Sequence, residues 1–437
     1  MVIDKRKILY IALFSLLFVY IYNPVFRGFR LVFMVYVIGI IYSALNLGAI
    51  SKLVNKSLKL SFLLFVTAVL IMYSLSYDVL LGSAYRSNSF WRVWAYLLFD
   101  VCFVALPLFV FLNKNRVSKD FLYNAFINLA VLQSIFALVM FVLPGLKELI
   151  FLDILDYQGE KVVDEALFGL RGFGIGSGFL FSLPLFQSLS IILIVDKAIK
   201  STFKPKYLLY VFLITVSILI NARIGLVVFP IMFIAYYITF SQNVRKLVSI
   251  SFLIIIGGIL FVSYYTQIRE SLIGINSTFR WVITGFELAL GISGTTGQSV
   301  LDILIGEHWH FPNKLSQLVF GTGEYVFAGA SKLYGQSDIG YIQYIYFGGI
   351  FILLFAMSFF MLLVKFINKT KFFSISIILL LLIAHFKGNI FASNDFTRAL
   401  ILLSVCSFLG NKFLIQKTSS ASSNNMTKCN KMNYDNI

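Results

Sequence analysis

The chain has 437 residues, 59% of them apolar and only 13% charged, and its mean hydropathy is +0.89. This excludes an ordinary soluble domain, which is roughly 45–50% apolar. The formal net charge is +17, but its distribution along the chain excludes a nucleic-acid-binding surface as its cause.

The apolar residues gather in runs of ~20, the length that crosses a hydrocarbon core. An all-α integral membrane protein is therefore expected. The alternating pattern of an outer-membrane barrel is absent. Cys102, Cys406 and Cys429 form no framework of spaced pairs, so neither a structural disulfide nor a metal site is expected. Tyr10 to Tyr22 lacks a small-residue cleavage site and more apolar runs follow, so it reads as a span and not as a cleaved signal.

In chain order, about 12 transmembrane helices are expected: 8–22, 31–50, 59–77, 93–112, 121–143, 174–195, 207–221, 224–240, 247–265, 340–364, 372–386 and 397–411. Residues 1–411 make up this polytopic domain. The Ser/Asn/Lys-rich tail, 412–437, is expected to be disordered.

Lysine and arginine set the orientation. With the N-terminus cytoplasmic, the inner connections carry Lys5, Arg6 and Lys7, then Lys52, Lys56 and Lys59, then Lys114, Arg116 and Lys119. Further on they carry Lys197, Lys200, Lys204 and Lys206, then Arg245 and Lys246, then Lys365, Lys369 and Lys371. The tail adds Lys412, Lys417, Lys428 and Lys431. The bases of the outer connections are balanced by acids. The basic excess is thus a consequence of topology, and both termini are expected to be cytoplasmic.

Two outer connections are long. Residues 144–172 are acidic, with Glu148, Asp153, Asp156, Glu160, Asp164 and Glu165. Residues 266–338 are the larger segment, and short helices are expected in it at 277–290, 298–305 and 313–320. Glycines 321, 323, 329 and 335 loosen its return to the membrane.

Three arginines stand on the outer side, where topology disfavours cations: Arg171, Arg223 in Asn-Ala-Arg-Ile-Gly-Leu, and Arg280. Arginine forks match phosphate oxygens in pairs, as binding of a lipid-linked phosphate would require. The alternative is that they are flank residues reaching for the interface. Gly172, Gly174, Gly176 and Gly178 do not form a dinucleotide fingerprint, and a closely packed helix start is the plainer reading. His308 and His310, in Gly-Glu-His-Trp-His-Phe-Pro, have the types for a general base or are ordinary loop residues. His385 ends span eleven. Asp100 lies roughly 10 Å inside the fourth span, where a carboxylate is costly, so an arginine partner is expected before a proton relay. Asp338 closes the large connection, and Asp395 and Arg398 are expected to pair.

Three patches resemble the superfamily of O-antigen polymerases and O-antigen ligases. Leu170-Arg171-Gly172-Phe173-Gly174 is similar to the family's Arg-x-x-Gly patch, and Ala222-Arg223-Ile224-Gly225-Leu226 is similar to its second arginine turn. Phe279-Arg280-Trp281, Phe320-Gly321-Thr322-Gly323, Ser337-Asp338-Ile339-Gly340-Tyr341 and Phe347-Gly348-Gly349-Ile350 follow the order of its large loop and exit helix. Ala222 stands where the family has a hydroxyl residue. The likeness covers roughly residues 165–355 and points most closely to the O-antigen polymerase (Wzy) family.

The resemblance implies a membrane glycosyltransferase of lipopolysaccharide biosynthesis in the bacterial inner membrane, with 144–172 and 266–338 in the periplasm. The growing oligosaccharide would pass from undecaprenyl pyrophosphate to the next lipid-linked repeat unit. Arg171, Arg223 and Arg280 would hold pyrophosphate, and Asp338, His308 or His310 would act as base. No cofactor and no metal is implied. The partners would be the lipid-linked oligosaccharide, the bilayer and a chain-length regulator, with no nucleic acid. The alternatives are the ligase of the same superfamily and a flippase or transporter using Asp100.

Overall fold

The computed structural model describes residues 5–80, 90–118, 120–154, 174–176, 182–200, 204–240, 267, 269–271, 283, 306, 308–324, 326, 337–367 and 369–410. The chain is mostly helical. Among the described residues, five helices are long and apolar enough to cross a membrane, or six if one bent pair counts as a span. The expected span 247–265, the tail 412–437 and most of 266–338 lie outside the described residues.

Helix α1 (Lys5–Tyr22) ends at Asn23, whose side chain accepts a hydrogen bond from the Val32 N–H (3.2 Å) and so ties the end of α1 to the start of α2. Between them a two-residue hairpin pairs Val25–Phe26 with Phe29–Arg30. It turns at Arg27 and Gly28, both with positive φ (47° and 77°), the backbone of a tight hairpin.

Helix α2 (Val32–Leu45) does not continue to residue 50 as its hydropathy suggests. The chain bends by 86° into α3 (Leu47–Asn55). Asn46 marks the corner, and Lys114 donates to its side-chain oxygen (2.6 Å). Hydropathy records which residues avoid water but not the direction in which they run, so the bend is invisible to it. Helix α4 (Leu58–Leu80) follows.

Helices α5 (Phe90–Phe99) and α6 (Leu106–Lys114) form one span, joined by a π-helical segment, Asp100–Ala105. The wide turn meets α2 backbone to backbone. A Cβ on Gly39 would lie 1.6 Å from the Phe103 carbonyl oxygen.

Helix α7 (Asp120–Val142) leads into α8 (Pro144–Glu148), which is followed by a second π-helical stretch, Leu149–Ile154. Helix α9 (Ser182–Lys200) starts later than the expected span at 174. Gly174 to Gly176 are not helical; Ile175 instead gives its carbonyl to Gln133 (2.8 Å). Helix α10 (Lys206–Asn221), a 3-10 turn (Arg223–Val227) and α11 (Val228–Phe240) follow. In the large connection α12 (Leu315–Phe320) realises the last of the three short helices expected there.

Helices α13 (Gly340–Ile367), α14 (Lys371–Lys387) and α15 (395–410) complete the bundle. Asn394 caps α15 reciprocally with Thr397: each side chain accepts from the other's backbone N–H (3.0 and 2.8 Å).

Helices α9 and α15 are buried on nearly every side, the mark of central helices. In contrast, Met34, Ile41, Phe65 and Met72 on α2 and α4 point outward, where hydrocarbon is their natural solvent. Several hydroxyls inside the bundle return to their own helices, as Ser134 does to Ala130 and Thr67 to Leu63, whereas the buried Ser43 and Ser376 hydroxyls have no partner among the described residues. Near the C-terminal end of α9, Asp196 holds Lys200 (3.1 Å), Lys369 (3.6 Å) and the Thr370 hydroxyl, locking α9 to the α13–α14 connection.

Candidate functional site

Arg171 and Arg280 lie outside the described residues. Arg223 opens the 3-10 turn between α10 and α11. That turn forms because Ala222 goes extended (φ −150°, ψ 121°) at the end of α10. Gly225 brings it close: its carbonyl accepts from Ser188 on α9 (2.9 Å), and a Cβ there would lie 3.0 Å from the Pro184 carbonyl oxygen and Cβ. Pro184, near the start of α9, and Gly225 from the second arginine patch are thus in contact. Gly225→Val is expected to push α9 and α10 apart and destabilise the protein by about 1–3 kcal/mol. A fall in the thermal midpoint in detergent is the measurement.

The glycine patches of the large connection and of α13 meet directly. Gly349 has φ 71° and ψ −174°, which breaks α13. The break leaves the Tyr346 and Phe347 carbonyls without helical partners. Thr322 fills the first with its N–H (2.6 Å) and its hydroxyl (2.9 Å), and the Gly323 N–H fills the second (2.9 Å). From α4, the Tyr73 and Tyr77 hydroxyls both donate to the Phe320 carbonyl, Tyr73 at 3.2 Å. Phe90 stacks on Phe347 with centroids 3.9 Å apart.

The candidate bases are drawn to the same end. The Ser337 hydroxyl donates to the His308 carbonyl (2.7 Å), the Ser337 N–H to Val326 (2.8 Å), and the Gln343 side chain to the Ser337 carbonyl (3.0 Å). Asp338 follows Ser337 and is half-buried between two fully buried neighbours. The Asp338 and His308 backbones are therefore tied together. The His310 ring sits 5.5 Å from that of Tyr346, and Trp309 stacks on Phe386 at 5.2 Å. His385 is fully buried, stacked on Phe391 (4.0 Å) and edge-on to Tyr341 (4.6 Å). Neither of its nitrogens has a partner among the described residues. Its surroundings are those of a core aromatic.

Asp100, fully buried, accepts from the Tyr36 hydroxyl (2.7 Å) and the Ser393 hydroxyl (2.7 Å). Arg398 Nε donates to that same Ser393 oxygen (3.1 Å), and its Nη1 donates to the Tyr20 and Ile21 carbonyls (3.3 and 3.4 Å). The expected arginine partner of Asp100 is thus Arg398, acting through Ser393. The expected pairing of Arg398 with Asp395 is not made among the described residues: no ion pair or hydrogen bond joins them, and Arg398 spends its donors on Ser393 and on the Tyr20 and Ile21 carbonyls.

Sequence reasoning passed over three buried polar side chains here: Gln133, Gln187 and Asn221. A scan for neutral amides within apolar runs, where polar groups are costly, would have found all three. Among the described residues, no three His, Cys, Asp or Glu side chains gather to hold a metal ion. Fold and site together define a multi-helical protein with several helices apolar enough to span a membrane and a polar cluster at one end of the bundle. No protein-family model, curated protein or solved structure matches the chain.

Proposed function

We propose that the chain is an O-antigen polymerase, transferring the growing oligosaccharide from undecaprenyl pyrophosphate onto the next lipid-linked repeat unit. The observation that carries this is the meeting of patches far apart in sequence. Gly321–Gly323 is hydrogen-bonded to the broken turn at Tyr346–Gly349, and Pro184 packs on Gly225 beside Arg223. Each of these is a local contact that brings a quoted glycine patch against another segment of the chain.

In this reading the chain crosses the bacterial inner membrane twelve times with both ends cytoplasmic. Residues 144–172 and 266–338 are periplasmic. The chemistry suits that face. No nucleotide energy source is needed, because pyrophosphate is already a good leaving group and arginines stabilise its developing charge. Arg171, Arg223 and Arg280 hold the pyrophosphate, and a base from Asp338, His308 or His310 activates the acceptor hydroxyl. A chain-length regulator is the expected protein partner. Asp100 is engaged by Tyr36 and Ser393, which favours a structural role over proton-coupled transport.

A deletion strain is expected to show lipopolysaccharide core bearing a single repeat, with the ladder gone. Loss of all O-antigen would instead mean a ligase or flippase. Arg223→Ala is expected to abolish the ladder at normal expression, and an unchanged ladder would remove Arg223 from pyrophosphate binding.

A further inference from the structure

Four buried side chains at the outer end of the bundle hold oxygen atoms that receive no hydrogen bond. Gln133, Gln187 and Asn221 are 0% exposed and Asp395 is 2% exposed. Gln133 Oε1, Gln187 Oε1, Asp395 Oδ2 and both polar atoms of the Asn221 amide have no partner among the described residues.

The partners fix which amide atoms are unspent. Ser134 gives its proton to the Ala130 carbonyl (2.7 Å), so it can only accept from Gln187, which donates to it (3.0 Å) and to Ser217 (2.8 Å). The Gln133 amide faces the Ile175 carbonyl (2.8 Å), which can only accept. In both glutamines the free atom is therefore the carbonyl oxygen.

These side chains form one neighbourhood. Gln133 and Ser134 are adjacent on α7, Gln187 joins Ser134 to Ser217, and Asn221 lies one helical turn beyond Ser217 on α10. Asp395 interacts with Ser182, the first residue of α9, roughly 7.5 Å along the axis from Gln187. Gly174 lies against Gln133 and Gly176 against Tyr22. Among the described residues, the charged and titratable groups facing Asp395 are Arg398 on its own helix and Tyr22 from α1.

Unmet acceptors are expensive away from water. Their chemistry also selects what can meet them. Carbonyl and carboxylate oxygens repel phosphate and accept from hydroxyls, so the matching ligand is neutral and rich in O–H donors. A first-turn carboxylate stabilises its own helix, which accounts for the position of Asp395 but not for its free oxygen.

Resting on the polymerase reading, we propose that this cluster receives the acceptor sugar and that Asp395, in place of Asp338 or a loop histidine, takes the proton from its attacking hydroxyl. The hydroxyl oxygen bonds to the anomeric carbon of the growing chain as its proton passes to the Asp395 carboxylate. The anomeric C–O bond to phosphate breaks, and its electron pair leaves on undecaprenyl pyrophosphate. The proton on Asp395 then returns to solvent.

The test uses the full-length protein in detergent. The probe is the repeat-unit oligosaccharide of its host, freed of lipid and phosphate, with binding measured by calorimetry. Chain extension on lipid-linked repeats is measured in parallel. Asn221→Leu and Gln187→Met are expected to weaken oligosaccharide binding about tenfold each while the protein still unfolds cooperatively; either variant that folds suffices. Asp395→Asn is expected to bind normally, to extend chains about 100-fold or more slowly, and to lose the acid limb of the rate profile that the wild type shows. No oligosaccharide binding by the wild type, unchanged binding in the leucine and methionine variants, or wild-type turnover in Asp395→Asn would each overturn the proposal. Extension that depends on Arg223 but ignores these variants would leave the polymerase standing and remove the subsite. Binding that depends on them, without any extension by the wild type, would do the reverse.

Discussion

Gly349→Ala is expected to unfasten the large connection from the membrane helices. At φ 71° and ψ −174° the backbone is in a region that is essentially reserved for glycine. An added Cβ would also lie 2.1 Å from the Val319 carbonyl oxygen. The chain can escape only by straightening α13. Straightening would return the Tyr346 and Phe347 carbonyls to their own helix and dispossess Thr322 and Gly323, which now occupy them. Backbone strain of about 1–3 kcal/mol and three hydrogen bonds at about 1 kcal/mol each set the scale. The expected results are a clear loss of thermal stability and faster proteolysis between residues 308 and 339. Gly306→Ala is the control, since nothing lies within 4 Å of its missing Cβ. Equal proteolysis of the two variants would mean that the broken turn does not hold the connection.

Arg398→Met is expected to be nearly as damaging for a different reason. It leaves Asp100 buried, with Tyr36 and Ser393 still donating but no cation nearby. Breaking a buried charge network on one side costs about 3–5 kcal/mol, mostly through the stranded charge. The double variant Arg398→Met with Asp100→Asn is expected to recover much of that loss. A double-mutant cycle on thermal stability in detergent measures the coupling. Strictly additive losses would show that the two residues do not compensate each other. Lysine is not expected to replace Arg398. One ammonium cannot meet Ser393 on one side and the Tyr20 and Ile21 carbonyls on the other, as the planar fork does.

Hydropathy made most of the helices legible, because a run of apolar residues has one economical use. It located α4, α7 and α14 to within a few residues. Its failures share a cause. The corner at Asn46, the late start of α9 and the break at Gly349 are matters of backbone direction, and a residue's apolarity is the same on either side of a bend. The glycine pairs were visible as glycines. That Gly321 and Gly349 serve a single contact was not, because the partner of a freed carbonyl is set by tertiary structure. The arginine partner of Asp100 was expected from the cost of burying a carboxylate, yet its identity depended on Ser393, whose residue type says nothing special. Gln133, Gln187 and Asn221 escaped because the search followed charge, and an uncharged amide barely alters a hydropathy average.

The π-helical segment at Asp100–Ala105 has a consequence for how this span can vary. Such a segment holds one residue more than the α-helical turn it replaces. Taking that residue away would restore a regular helix and swing Phe90–Phe99 by about 100° relative to Leu106–Lys114. Asp100 would leave Tyr36 and Ser393, and Trp94 and Phe90 would leave Tyr344 and Phe347. The span should therefore tolerate many exchanges of one apolar residue for another, and almost no change in the number of residues between Phe90 and Lys114.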